Sequence, residues 1–165
     1  MEELEKLRKE IDQLDKMIAK LISKRQGLSN KILKAKGGKF TYDPVRERKV
    51  MEKIFSYDID TKLAERIWRQ IIAFNLSTQK KLKIGNLGSD KFSIAAYEIY
   101  FGPYFEIRDF KNVTELIEGL NKKNIDVAII EKSQFAHTKI NSKIKIASEF
   151  PLNEYFYKKK YLILK

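Results

Sequence analysis

Cysteine is absent from this 165-residue chain, which removes disulfides and thiolate chemistry from consideration and suits a cytoplasmic setting. There is a single histidine, His137, expected in an exposed loop, so proton shuttling or metal binding through histidine has little to work with. Only 3 prolines and 7 glycines punctuate the chain, and it contains no internal repeat or low-complexity segment. No apolar run approaches the roughly 20 residues needed to cross a bilayer. The opening MEELEKLRKE is charged from residue two, so no secretory signal is expected there. No membrane partner is therefore expected.

What is present is a globular composition. The hydrophobic share is 43%, normal for a folded protein, and the length suits one ordinary domain or two small ones. The formal net charge is +12. It is spread over the chain, with 19 basic against 12 acidic residues in 1–80 and 15 against 10 in 81–165. A solvated lysine-rich surface explains this, and so does an anionic small substrate or a nucleic acid. Charge alone does not choose.

Residues 2–36 place Leu4, Leu7, Ile11, Leu14, Ile18, Leu21, Leu28 and Ile32 at alternating steps of three and four. That is the pattern of a long helix with one buried seam. At 1.5 Å per residue it would be about 50 Å long, more than an 80-residue domain can cover alone, so it wants a partner. Gly37-Gly38 ends it. Asp43 before Pro44 is a start signal for a second helix to about Phe55. A third is expected from Thr61 to Lys80, with a buried stripe of Leu63, Ile67, Ile71, Asn75 and Gln79.

Beyond Lys80 the texture changes. Strands are expected at Lys83–Asn86, Phe105–Phe110, Ile125–Ile130, Ile144–Ile146 and Tyr155–Leu164, with helices at Ser93–Tyr100 and Val113–Asn121. Gly85 to Ser89 reads as a strand-to-helix turn. This β-α-β-α-β order predicts a small α/β lobe with a mostly parallel sheet. The aromatics of Tyr155–Tyr161 read as core and edge-strand packing.

Several polar residues stand where the helical seams should be apolar. Arg25 fills the slot between Leu21 and Leu28, and a buried guanidinium needs an anionic partner, either an internal carboxylate or a bound anion. Lys36, eleven residues on, projects from the same face. Arg46 and Glu47 open the second helix beside Asp43 and read singly as a surface pair or cap. Asn75 and Gln79 on the third helix call for buried hydrogen-bond partners. Together they describe a cationic pocket suited to a compact dianion.

With Leu7-Arg8, Ile11-Asp12, Leu14-Asp15, Arg25, Lys36, the Asp43-Pro44-Val45-Arg46-Glu47 turn and Gln79 in this order, the segment from about residue 7 to 80 resembles the all-helical (type II) chorismate mutase family. The resemblance implies an intertwined helical homodimer in residues 1–80, with the α/β lobe as a second domain in 81–165. It implies that Arg8, Arg25 and Arg46 hold the two carboxylates of chorismate. Lys36 and Gln79 would donate to the ether oxygen of the breaking bond, and Glu47 and Asp43 would face the ring hydroxyl. Asn75 departs from the family, where Ser is common near a carboxylate, but still offers a donor. Geometry supports the dimer separately. Arg8 and Arg25 are 17 residues apart on one helix, roughly 25 Å, too far for one small ligand, so a shared site needs Arg8 from the partner. The implied reaction is an isomerisation of chorismate to prephenate in aromatic amino acid biosynthesis. It calls for no cofactor, metal or nucleophile.

Residues 81–165 resemble weakly one lobe of a prephenate dehydratase domain, through Lys83-Ile84-Gly85-Asn86-Leu87-Gly88 and Asp126-Val127-Ala128-Ile129-Ile130-Glu131. A second lobe and a Thr-Arg-Phe motif are not found, so a reduced lobe without dehydratase activity is expected, serving a structural or dimer-supporting role. The Gly88-Ser89 helix start could at most cradle a carboxylate. Other readings are an isochorismate-pyruvate lyase on the same scaffold, a silent regulator that binds chorismate or an aromatic amino acid, or a basic helical module binding nucleic acid. The inward face of Arg25 and Lys36 argues against nucleic acid, and the Lys36 with Gln79 pairing against the lyase.

Overall fold

A computed structural model describes residues 2–38, 42–88, 90–136, 138, 143–152 and 159–165. Ser89, His137 and the aromatics from Tyr155 to Tyr157 lie outside the described residues. The chain forms two compact units, dividing after residue 40. The first is one helix, α1 (Glu2–Ala35), with Glu2, Glu3 and Glu5 in its first turn and Lys34 in its last, matched to the helix dipole. It ends at paired glycines with φ of 66° and 73°. These left-handed values let the Gly37 and Gly38 amides bond back to Lys34 and Leu33 carbonyls at 2.9 and 3.0 Å.

The second unit holds α2 (Pro44–Phe55), α3 (Thr61–Gln79) and the α/β elements. Both helices start as the sequence dictates: Asp43 accepts from the Arg46 amide and Asp60 from the Leu63 amide. After α3 come β1 (Lys83–Leu87), α4 (Lys91–Phe101) with a 3-10 turn at Gly102–Tyr104, β2 (Glu106–Phe110), α5 (Val113–Asn121), β3 (Val127–Glu131), the short α6 (Lys132–Phe135), β4 (Ile146–Phe150) and β5 (Tyr161–Leu164). The strand expected at Ile144–Ile146 starts at its last residue and runs on to Phe150. Ile144 is spent on the core. Among the described residues no helix is long and apolar enough to cross a membrane.

The sheet order is β2-β1-β3-β5-β4. β1 pairs in parallel with β2 and β3, whereas β5 runs antiparallel to both β3 and β4. The α4 and α5 crossovers impose the parallel half. One face of the sheet presents Leu87, Ala128, Ile130, Leu162 and Leu164 to Leu116 and Ile117 of α5. Alternation sends Ile84, Val127, Ile129, Tyr161 and Ile163, all buried, to the other. There an aromatic cluster forms, with Tyr100 5.3 Å from Phe150 and 4.7 Å from Phe101 between ring centroids.

The α3 stripe expected from the sequence holds for Asn75, which is buried, and needs correcting in its N-terminal half. Leu63 and Ile67 are exposed at 53% and 38%, while Ala64, Glu65, Arg69, Ala73, Asn75 and Ser77 are buried. Helix α3 packs on α4 through this small-and-polar face. Gln70 Nε2 donates to the Glu98 and Ile99 carbonyls at 3.2 and 3.3 Å, and the Glu65 carboxylate accepts from the Leu152 amide at 2.9 Å. Where α3 ends, Lys80 pairs with Asp126 at 2.8 Å, whose other oxygen takes the Lys83 amide. The amphipathic rule located a helix correctly, but on α3 the apolar stripe is the one left open.

Gly85 in β1 marks a close approach. A Cβ there would lie 2.6 Å from Leu116 Cδ1 and closer still to Ile125 Cδ1. Gly85→Ala is expected to lower stability by about 1–3 kcal/mol, seen as a lower denaturant midpoint with unchanged slope.

Candidate active site

The site residues foreseen in the sequence fall on both units. On the first, Arg8 is exposed and pairs with Glu5 at 2.7 Å one turn earlier, a surface pair of little energetic weight. Arg25 is half-buried, and Lys36 lies exposed just past the last turn of α1, its amide bonded to the Ile32 carbonyl at 3.0 Å. The apolar seam beside them is open. Leu4, Leu7, Ile11, Leu14, Ile18, Leu21, Leu28 and Ile32 are all more than half exposed, Leu21 at 65%. No residue of α1 is buried, because a lone helix has no second layer to bury it. Taken alone, this unit is a cationic and apolar stripe that encloses nothing.

On the second unit, Asp43, Arg46 and Glu47 share the start of α2. Asp43 is exposed and spends one carboxylate oxygen on the Arg46 amide at 3.0 Å, while the Arg46 side chain reaches solvent. Asn75 is buried and its amide donates back to the Ile71 carbonyl at 2.8 Å. Its donor is thus engaged within α3. Gln79, one turn on, is half-buried at the end of the helix.

Glu47 is the exception to the surface reading. Its side chain is 12% exposed, and Oε2 takes the Arg69 guanidinium at 3.3 Å and the Tyr100 hydroxyl at 3.4 Å. Arg69 is almost fully buried and lies over the Tyr100 ring, its Cζ 4.2 Å from the centroid. The Tyr42 and Tyr100 hydroxyls are 3.2 Å apart. Since Tyr100 donates to Glu47, Tyr42 donates to Tyr100. Among the described residues, Arg69 Nε and Nη2 have no hydrogen-bond partner.

The foreseen groups are thus divided, Arg8, Arg25 and Lys36 on the first unit and Asp43, Arg46, Glu47, Asn75 and Gln79 on the second. Residues 7–80 match the family model of type II chorismate mutase. A bifunctional chorismate mutase/prephenate dehydratase of Aquifex aeolicus (strain VF5) is 29% identical over 167 residues, covering 90% of this chain and 46% of that protein. The chain thus spans about half the length of this relative, and the alignment extends beyond the mutase match into the α/β elements. No solved structure matches.

Three residues escape notice in the sequence: Arg69 and Tyr42 within the matched span, and Tyr100 beyond it. Arg69 falls off the Leu63-Ile67-Ile71 stripe and so reads as a solvent-facing cation. One signal could have found it. Ala73 lies one turn on from it on the same side of α3, and a small residue beside a charge on a helix face marks the close approach of another element.

Burial drives the Glu47 carboxyl from 4.5 to about 7, with Asp43 adding to the rise, against the lowering effects of Arg69 and the Tyr100 hydrogen bond. Between pH 4.5 and about 7 the folded chain holds a proton at Glu47 that the unfolded chain has released. The contribution of this group to stability is therefore complete below pH 4.5 and is lost as pH rises through about 7. Glu47→Gln is expected to flatten that part of the melting-temperature-versus-pH curve.

Proposed function

We propose that the segment comprising residues 1–80 is a chorismate mutase, an isomerase converting chorismate to prephenate in aromatic amino acid biosynthesis. The α/β region of 81–165 forms a second, prephenate-dehydratase-like domain without dehydratase activity. The observation that carries the reading is the type II match over residues 7–80, with Arg8, Arg25, Lys36, Asp43, Arg46, Glu47 and Gln79 falling on the motif in order.

In the proposed reaction one C–O bond breaks as one C–C bond forms, without a covalent intermediate or cofactor. Arg8, Arg25 and Arg46 bind the two carboxylates and hold the compact reactive conformer, which removes the entropic part of the barrier. Lys36 and Gln79 stabilise negative charge growing on the ether oxygen. Glu47 and Asp43 face the ring hydroxyl, and Asn75 lies near a carboxylate. Working location is the cytoplasm.

The active form is a homodimer with Arg8 given across the interface. Two things support it: the open apolar seam of α1, which costs too much left in water, and the separation of Arg8 from Arg25 along one helix.

Chorismate consumption followed spectrophotometrically tests the activity directly. Lys36→Ala is expected to lower kcat by roughly 100- to 1,000-fold while the dimer stays folded, and normal turnover would refute the assignment. Complementation tests the shared site. Arg8→Ala and Arg25→Ala homodimers are each expected to be inactive, and an equal mixture, after subunit exchange, should recover about a quarter of wild-type activity. No recovery despite exchange would place both arginines in one protomer's site or in none.

A further inference from the structure

We propose that Arg69 and Tyr100 are positioning residues for Glu47, so that the α/β region beyond residue 80 completes the site of the helical segment. This rests on the mutase reading above, and it gives the α/β region a task in that reaction.

The geometry is specific. Both bonds to Glu47 fall on Oε2, from Arg69 Nη1 and from the Tyr100 hydroxyl. Among the described residues Oε1 takes none, so it is the oxygen left to accept from a substrate hydroxyl. The two donors come from different parts of the chain, Arg69 from α3 and Tyr100 from α4. Tyr100 is itself held on three sides. Arg69 stacks on its ring, Phe150 of β4 packs edge-on at 5.3 Å, and the Tyr42 hydroxyl orients its oxygen. The α/β region thereby fixes the rotamer of a carboxylate on the first turn of α2.

Chemistry gives the arrangement a purpose. A carboxyl that accepts from a hydroxyl has to be aimed, and it accepts most strongly when ionised, which burial works against. The groups facing Glu47 are Arg69, Tyr100 and Tyr42, with Asp43 on its own element. Arg69 and the Tyr100 hydroxyl favour the charged form, and Asp43 opposes it. Arg69 is not a surplus core charge in this view. Its buried, only partly bonded guanidinium supports one oxygen so that the other can face the ligand.

Tyr100→Phe in the full-length chain tests this, since it keeps the ring under Arg69 and removes only the hydroxyl. The expected result is a roughly tenfold fall in kcat/KM, with the acid limb of the pH–rate profile moved to higher pH and the melting temperature little changed. The Glu47 carboxyl, followed by carbon-13 NMR, should titrate at higher pH in the variant than in the wild type. Arg69→Lys, which retains charge but not the fork, should recover part of the activity lost in Arg69→Met. Should Tyr100→Phe fail to fold, Tyr42→Phe carries the same test, with a smaller loss of about threefold. An active wild type with an unchanged kcat/KM and pH profile in Tyr100→Phe would overturn the proposal. If the wild type does not consume chorismate, the mutase reading fails, while an unmoved Glu47 titration in the variant would separately sink the positioning role.

Discussion

A guanidinium almost wholly withdrawn from water has to be answered, and the second unit is arranged around answering Arg69. Helix α2 supplies the Glu47 carboxylate and helix α4 the Tyr100 ring and hydroxyl, while Tyr42 completes the hydrogen-bond chain. Desolvating such a charge costs several kcal/mol, and only a close countercharge and well-placed polar contacts offset it. The pair therefore adds little net stability. What it does is specify: α2, α3 and α4 pack together in the arrangement that lets Arg69 meet Glu47.

The same constraint explains why α3 turns its small and polar face inward. Ala73 leaves room beside Arg69, and Gln70 and Glu65 find backbone partners on neighbouring segments. The larger side chains Leu63 and Ile67 are left open. Each unit thus leaves apolar side chains in water, Leu63 and Ile67 on α3 and the seam on α1.

Cationic groups on α1 and a buried carboxylate on α2 also divide the chemical labour of the proposed site. In the proposed reading the cations of α1 take the carboxylates of the ligand; Arg8 and Lys36 are exposed and Arg25 is half-buried. Glu47 has the opposite environment, low in water and held by donors on its far side. A pericyclic rearrangement needs little more from a protein than a held conformer and fixed charges near the developing dipole.

Much was legible in the residues alone. The three-four spacing of α1, its glycine stop, the Asp43-Pro44 and Asp60 starts and the apolar run of β3 are local signals, because backbone geometry and capping are decided within one or two turns. The likeness of residues 7–80 to type II chorismate mutase was legible for a related reason: its spacing is carried by helices of known rise. Tertiary structure alone decided which face of α3 is buried, that the last two strands run antiparallel, and that Glu47 is a buried carboxylate rather than a surface cap. Those outcomes depend on contacts between residues 11 to 87 positions apart, whose energies come from burial, strand pairing and countercharge. No local pattern encodes which distant group will supply them.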